Sequence, residues 1–233
     1  MATPPPTAAL AGIPSGLQGQ GPWLGRRQIF IRFAGEAETA TMYTAQALVN
    51  ELRRATARSA FHSVAVGGRD VLANGEFLAA ALDGLGAELP VLLSTDGQRP
   101  EALPEVGRRV ALVQVTLDAA APDPVAERAV ATLRVAAHLG TEHALVLASG
   151  GAGAGGAGGP PASDAQILRA VERAHAASGG TIIVVHPDPA GDGREPDAPR
   201  SLESRWIGLM ERLVALHPDT RLALRLPPPV GLT

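Results

Sequence analysis

The residues with the spacing of a binding motif are glycines. Residues 150–159, GGAGAGGAGG, contain G-x-G-x-x-G at Gly151, Gly153 and Gly156. Between a strand and a helix, that spacing lets backbone N–H groups approach a pyrophosphate at the helix N-terminus, and an acid beyond the next strand takes a ribose hydroxyl. Asp188 stands where such an acid would. The tract matches the pattern in several overlapping ways, however, and Pro160, Pro161 and Ala162 hold it away from the next helical pattern. The plainer reading is a flexible loop over 150–163.

Other candidates are thinner. Gly67-Gly68-Arg69-Asp70 is a glycine turn at the end of an apolar run, where backbone N–H groups could meet an anion. Arg69 and Asp70 could equally pair with each other. Six histidines (His62, His138, His143, His175, His186 and His217) show no i, i+4 or H-x-H pairing, whereas a metal site needs converging ligands. No serine sits in a nucleophile-elbow context. A last segment, Glu36-Ala37-Glu38-Thr39-Ala40, follows a strand pattern and Ala34-Gly35, the place where α/β enzymes put a cofactor loop. None of its side chains is an obvious cofactor grip. A new acid–base site on Glu36, Glu38 and Asp96 is the enzymatic alternative.

Absences exclude more than these motifs include. There is no cysteine, which removes disulfides, thiolate zinc sites, cysteine nucleophiles and thiolate-bound iron–sulfur clusters. There is no lysine, all 20 basic residues being arginine, which removes Schiff-base chemistry and the P-loop lysine. A net charge of −3 and 3% aromatic residues do not suit a nucleic-acid surface. No apolar run approaches a membrane span, and residues 1–16 lack the basic and apolar parts of a signal peptide. The expectation is a soluble cytoplasmic protein.

The elements that must position any site follow from periodicity. Residues 1–16, rich in Pro and Ala, are expected to be disordered, and 17–233 to form one domain. Strand-length apolar runs fall at 28–33, 63–66, 91–94, 110–117, 144–147, 181–185 and 221–226. Helical patterns fall at 41–57, 75–82, 124–139, 164–177 and 202–216. In the third helical pattern Val125, Ala129, Leu133 and Ala137 form the expected buried stripe, with Pro124 in the first turn behind Asp123 as cap. Repeated strand–helix alternation predicts a mostly parallel sheet with flanking helices, closing toward a full or partial (β/α) barrel. Ligands in such folds bind at the C-terminal ends of the strands.

The order of segments resembles a family. The stretches SGLQGQGPWLGRRQIFIRFAG, VGGRDVLANGEFLAAAL and LPVLLSTDGQRPEAL, with the ending from His186 to Leu224, are similar to the radical S-adenosylmethionine enzyme 7-carboxy-7-deazaguanine synthase, over about residues 13–232. That family is a carbon–nitrogen lyase of queuosine biosynthesis. It converts a carboxy-tetrahydropterin with a [4Fe–4S] cluster, S-adenosylmethionine and Mg²⁺. The resemblance implies a partial barrel of the radical SAM type.

Carried over residue by residue, the resemblance implies lost chemistry. The family's C-x₃-C-x₂-C falls on Glu36, Ala40 and Tyr43, so no cluster ligand remains, and the Asp-Thr that follows falls on Thr44-Ala45. Its Gly-Gly-Glu-Pro turn becomes Gly67-Gly68-Arg69-Asp70, and Asp118 ends Thr116-Leu117-Asp118 where the family has a lysine. The substrate histidine of Q-x-H-K is absent from Arg225-Leu226-Pro227-Pro228. The family's Q-G-E-G becomes Gln18-Gly19-Gln20-Gly21 and its E-T-N-G survives partly as Ser94-Thr95-Asp96-Gly97, so the surviving contacts are Gln18, Gln20 in place of the glutamate, Arg32, Gly67, Gly68 and Thr95. The implied protein is a catalytically inactive homologue without an iron–sulfur cluster, a structural or regulatory partner in a homodimer or in a heterodimer with a cysteine-bearing homologue. The alternative is a module that still binds a pterin, purine or S-adenosylmethionine, with Arg32 offering a planar fork to a carboxylate.

Overall fold

The computed structural model describes residues 5–149, 162–187 and 199–223. The chain opens with β1 (Thr7–Gly12), β2 (Ser15–Leu17), β3 (Arg27–Phe33) and β4 (Thr41–Thr44). Strands and helices then alternate: α1 (Ala45–Arg58), β5 (Ser63–Gly68), α2 (Gly75–Leu85), β6 (Val91–Thr95), α3 (Leu103–Val106), β7 (Leu112–Asp118) and α4 (Asp123–His138). They continue through β8 (Glu142–Ala148), α5 (Asp164–Ala177), β9 (Ile182–His186), α6 (Pro199–Leu216) and β10 (Thr220–Leu222).

All the strands join one sheet in the order β10-β9-β8-β7-β6-β5-β3-β1-β4, with β2 also on β3. Every pair from β10 to β3 is parallel; β1 and β2 run antiparallel to β3, and β4 antiparallel to β1. No ladder among the described residues joins β10 to β4. No helix among the described residues is long and apolar enough to cross a membrane.

The parallel strands are buried on both faces because both are covered, as a parallel sheet requires. On the outer face Ile31, Val66, Leu93, Val115, Leu145 and Val185 meet Leu48, Phe77, Leu103, Leu133, Ile167 and Leu209 of the helices in one core. The inner face carries a second, smaller cluster, Ala65, Leu92, Leu112 and Ala144, with Trp23 packed on it. Trp23 belongs to the loop between β2 and β3, which folds over this face.

Three expectations are corrected. Residues 7–12, expected to be disordered, form β1, with Ala8 and Leu10 buried; a Pro-rich composition does not prevent a strand that finds a partner ladder and a core. The helix expected from residue 41 begins at Ala45, because Thr41–Thr44 pairs with β1 and Thr44 caps the helix, its Oγ1 accepting the Ala47 N–H at 3.2 Å. In α4, which starts at Asp123 after Pro122, the buried stripe is Ala126, Ala129, Val130, Leu133 and Ala136, with Val125 left 36% exposed. Steps of four residues drift about 40° each around a helix, so a stripe that stays on the core alternates three and four. α5 has the expected bounds, closed by a Ser163/Gln166 capping box.

Candidate functional site

The C-terminal ends of β3, β5 and β6 carry a rim of ion pairs. Glu38 folds back on its own turn: Arg32 Nη2 donates to Oε1 at 3.0 Å, and the Gly35 N–H donates to Oε2 at 2.9 Å. The Gly35 N–H first, and then the Arg32 charge, hold the Glu38 carboxyl below the usual carboxylate range. Next to it Arg69 pairs with Glu36 at 3.2 Å. Asp70, in left-handed backbone at φ 45°, takes a two-point bond from Arg99 at 2.5 and 2.7 Å, which lowers its carboxyl too. Arg69 and Asp70 thus pair with other loops, not with each other.

The three positions onto which the resemblance lays the cluster cysteines have different surroundings. Glu36 is in an ion pair, Ala40 is exposed, and Tyr43 is in the β4 ladder opposite Ala8. They sit on two kinds of structure, a charged turn and a sheet edge. The residues of the acid–base alternative are each engaged within this rim or its neighbouring turn. Glu36 and Glu38 are each held by an arginine, and Asp96 Oδ1 accepts the Gln98 N–H of its own turn at 3.0 Å.

The inner face behind the rim is more polar. Arg32 lies in register between Gly12 on β1 and Gly67 on β5, so neither neighbouring strand puts a side chain beside it. Ser94 follows Gly67, and Gln114 pairs in register with Ser94. Across this row lies the β2–β3 loop. Its neck is closed by Gln18, whose backbone N–H donates to Arg26 O at 2.8 Å and whose carbonyl accepts from Gly25 at 2.9 Å. Its tip reaches across the sheet: Gln20 Nε2 donates to Thr116 Oγ1 at 3.4 Å, and the Gly21 N–H donates to His186 Nε2 at 3.3 Å. Gly21, at φ +78°, lies directly on Gln114, whose side-chain oxygen a β-carbon there would overlap. Gln114 is completely buried, and neither its Oε1 nor its Nε2 has a hydrogen-bond partner among the described residues.

The retained positions therefore divide. Arg32 and Gly67 lie side by side in register on the inner face, while Gln20 reaches Thr116 on β7, three strands away from β3. Gln18 is buried in the loop neck, its Oε1 accepting the Gly19 N–H at 3.2 Å. Thr95 lies on the opposite face from Ser94, its Oγ1 accepting the Gly97 N–H at 3.1 Å. Gly68, at φ +110°, is required by the sheet itself, since a β-carbon there would strike the Phe33 backbone. Asp118 accepts the Ala120 N–H at 2.8 Å, a turn contact. Gly151, Gly153, Gly156, Asp188 and residues 225–228 lie outside the described residues.

Sequence reasoning missed Gln114, Ser94 and Thr116 as inner-face groups, and His186 as the loop's anchor. The signal was there for Gln114, an amide interrupting an otherwise apolar strand run. Reasoning by spacing also missed a histidine pair, His175 and His217, whose Nδ1 atoms are 3.0 Å apart although 42 positions separate them.

No family model and no curated protein matches the sequence. Among solved structures, a truncated form of 3-deoxy-D-arabino-heptulosonate 7-phosphate synthase from Thermotoga maritima aligns with 86% of this chain and 82% of its own. The identity is 11% and the TM-score 0.39.

Proposed function

We propose that this chain is a catalytically inactive relative of 7-carboxy-7-deazaguanine synthase, a partial barrel of the radical SAM type that works as a structural or regulatory subunit. The observation that carries the reading is the fate of the loop after β3. Its three cluster positions have no thiolate, and one of them, Tyr43, is built into the β1–β4 ladder. Carboxylate and phenolate are hard ligands, ill suited to an iron–sulfur cluster, and Ala40 is no ligand at all. The partner is a second copy or a cysteine-bearing homologue. Light scattering on the purified chain, alone and mixed with such a homologue, tests this. A dimer or a mixed complex supports it, and a monomer in both samples overturns it.

A second reading is favoured by one observation, the fully buried and unpaired Gln114 beside the row of Gly12, Arg32, Gly67 and Ser94. A buried amide without partners costs stability, and binding sites are where such costs persist. In this reading the inner face binds a pterin, a purine or S-adenosylmethionine, with Arg32 and Gln20 in contact. Thermal-shift titration with a carboxy-tetrahydropterin, 7-carboxy-7-deazaguanine and S-adenosylmethionine is the test. A ligand at a hundredfold its Kd adds about 2.7 kcal/mol of stability. No shift with any of the three removes the reading.

A further inference from the structure

Glu38 is placed as a ligand would be. Its carboxylate is gripped at both oxygens, one by a guanidinium and one by a backbone N–H, which is how proteins take a carboxylate from solution. The guanidinium comes from the sheet and the acid from a turn six residues later. Arg32 stands between two glycines, so its surroundings on the sheet are bare backbone on both sides. The second arginine at this mouth, Arg69, is treated likewise, because Glu36 of the same turn pairs with it. The segment thus supplies one acid to each of the two arginines around Gly35. Both pairs are solvent-exposed: the side chains of Arg32 and Glu38 are 53% and 45% accessible, and those of Arg69 and Glu36 63% and 85%. Exposed pairs contribute little and exchange readily.

We propose that Arg32 and the Gly35 N–H form a carboxylate-binding cradle that the chain fills with its own Glu38, so that residues 34–40 act as a strap which an external carboxylate must displace. The inference rests on the reading that the inner face around Arg32 receives a ligand, and it adds how access to that site is limited. Removing the Glu38 carboxylate frees the arginine without touching the fold, since the side chain is on the surface.

The test uses benzoate and acetate as probes, compared with sodium chloride at equal ionic strength. Wild type, Glu38→Ala, Glu38→Gln and the double variant Arg32→Ala/Glu38→Ala are titrated by chemical-shift perturbation, with circular dichroism confirming that each is folded. A tethered carboxylate in an exposed pair competes by a factor of about two to five. Glu38→Ala is therefore expected to bind benzoate about two- to fivefold more tightly than wild type, Glu38→Gln to do the same to a lesser degree, and the double variant to lose binding. Equal binding by wild type and Glu38→Ala overturns the strap while leaving Arg32 as a carboxylate site. Absence of binding in Glu38→Ala, or unchanged binding in the double variant, overturns the cradle itself.

Discussion

The two faces of the sheet are built on different terms. The outer face is mostly apolar from β3 to β9, with Thr95 and His143 as its buried polar groups, and lies under helices whose buried positions are mainly Leu, Val, Phe, Ile and Ala. The inner face, covered by the β2–β3 loop, interleaves Gln28, Ser63, Ser94, Gln114, Thr116 and His186 with Leu and Ala. Some are partly satisfied: Gln28 Nε2 donates to Ser63 Oγ at 2.7 Å, and Ser63 Oγ lies 2.9 Å from His62 Nδ1, although Gln28 Oε1 has no partner among the described residues. Gln114 has none at either amide atom. The comparison teaches that one face supplies stability while the other gives some of it up, and a face that gives up stability is the one to search for function.

The largest expected effect breaks the outer face. Leu133→Ala removes a fully buried side chain of α4 and should cost about 2–5 kcal/mol, read as a lower urea midpoint. A midpoint close to wild type would mean that this face is not the stabilising one. Next comes a pair of adjacent glycines at the end of β5. Gly68→Ala forces a β-carbon against the Phe33 backbone at positive φ and should cost about 1–3 kcal/mol. Gly67→Ala makes only an ordinary contact, 3.5 Å from Ser94 Cβ, and should stay within about 0.5 kcal/mol of wild type. Equal losses would mean that Gly67 is also structural and not part of an open floor beside Arg32.

On the inner face the sign reverses. Gln114→Leu removes an unpaired buried amide at similar volume and should stabilise the chain by about 1 kcal/mol, seen as a higher thermal midpoint. Destabilisation would show that the amide is in fact satisfied, for instance by a buried water. The smallest effect lies at the rim. The carboxyls of Glu38 and Asp70 are lowered in the folded state, so what they contribute is present above the ordinary carboxylate range and lost as pH falls through their folded values. Asp70→Asn should therefore flatten the decline in stability below about pH 4, by no more than a few tenths of a kcal/mol for a side chain that is 45% exposed. Unfolding midpoints measured from pH 6 down to pH 3 on both proteins would check it; parallel curves would remove the Asp70–Arg99 bond from the account.

Much of the framework was legible because strand and helix periods are local. β7, β8 and β9 are short β-branched and leucine runs, and α5 announces itself with Ser163, Gln166 and the stripe Ile167, Ala170, Val171 and Ala174. β1 was not legible, because a strand that pairs with residues more than thirty positions away leaves no local signature beyond two buried side chains. The site was half legible. Arg32 and Gly67 could be placed at strand ends from the pattern, but Thr95 and Ser94, adjacent in sequence, fall on opposite faces, and Gln18 falls in a loop neck.

What the sequence by itself determined is the absence of thiolate chemistry, since no cysteine exists to be brought anywhere, and the alternation of strands and helices, since both periods are written in neighbouring residues. What only the tertiary structure decided is which polar groups meet. Glu38 reaches Arg32 within one turn, but Glu36 and Arg69, Gly21 and His186, and His175 and His217 are brought together by the order of strands in the sheet. Hydrogen bonds and ion pairs act over a few ångströms. Sequence separation therefore says nothing about them until the fold has set the distance.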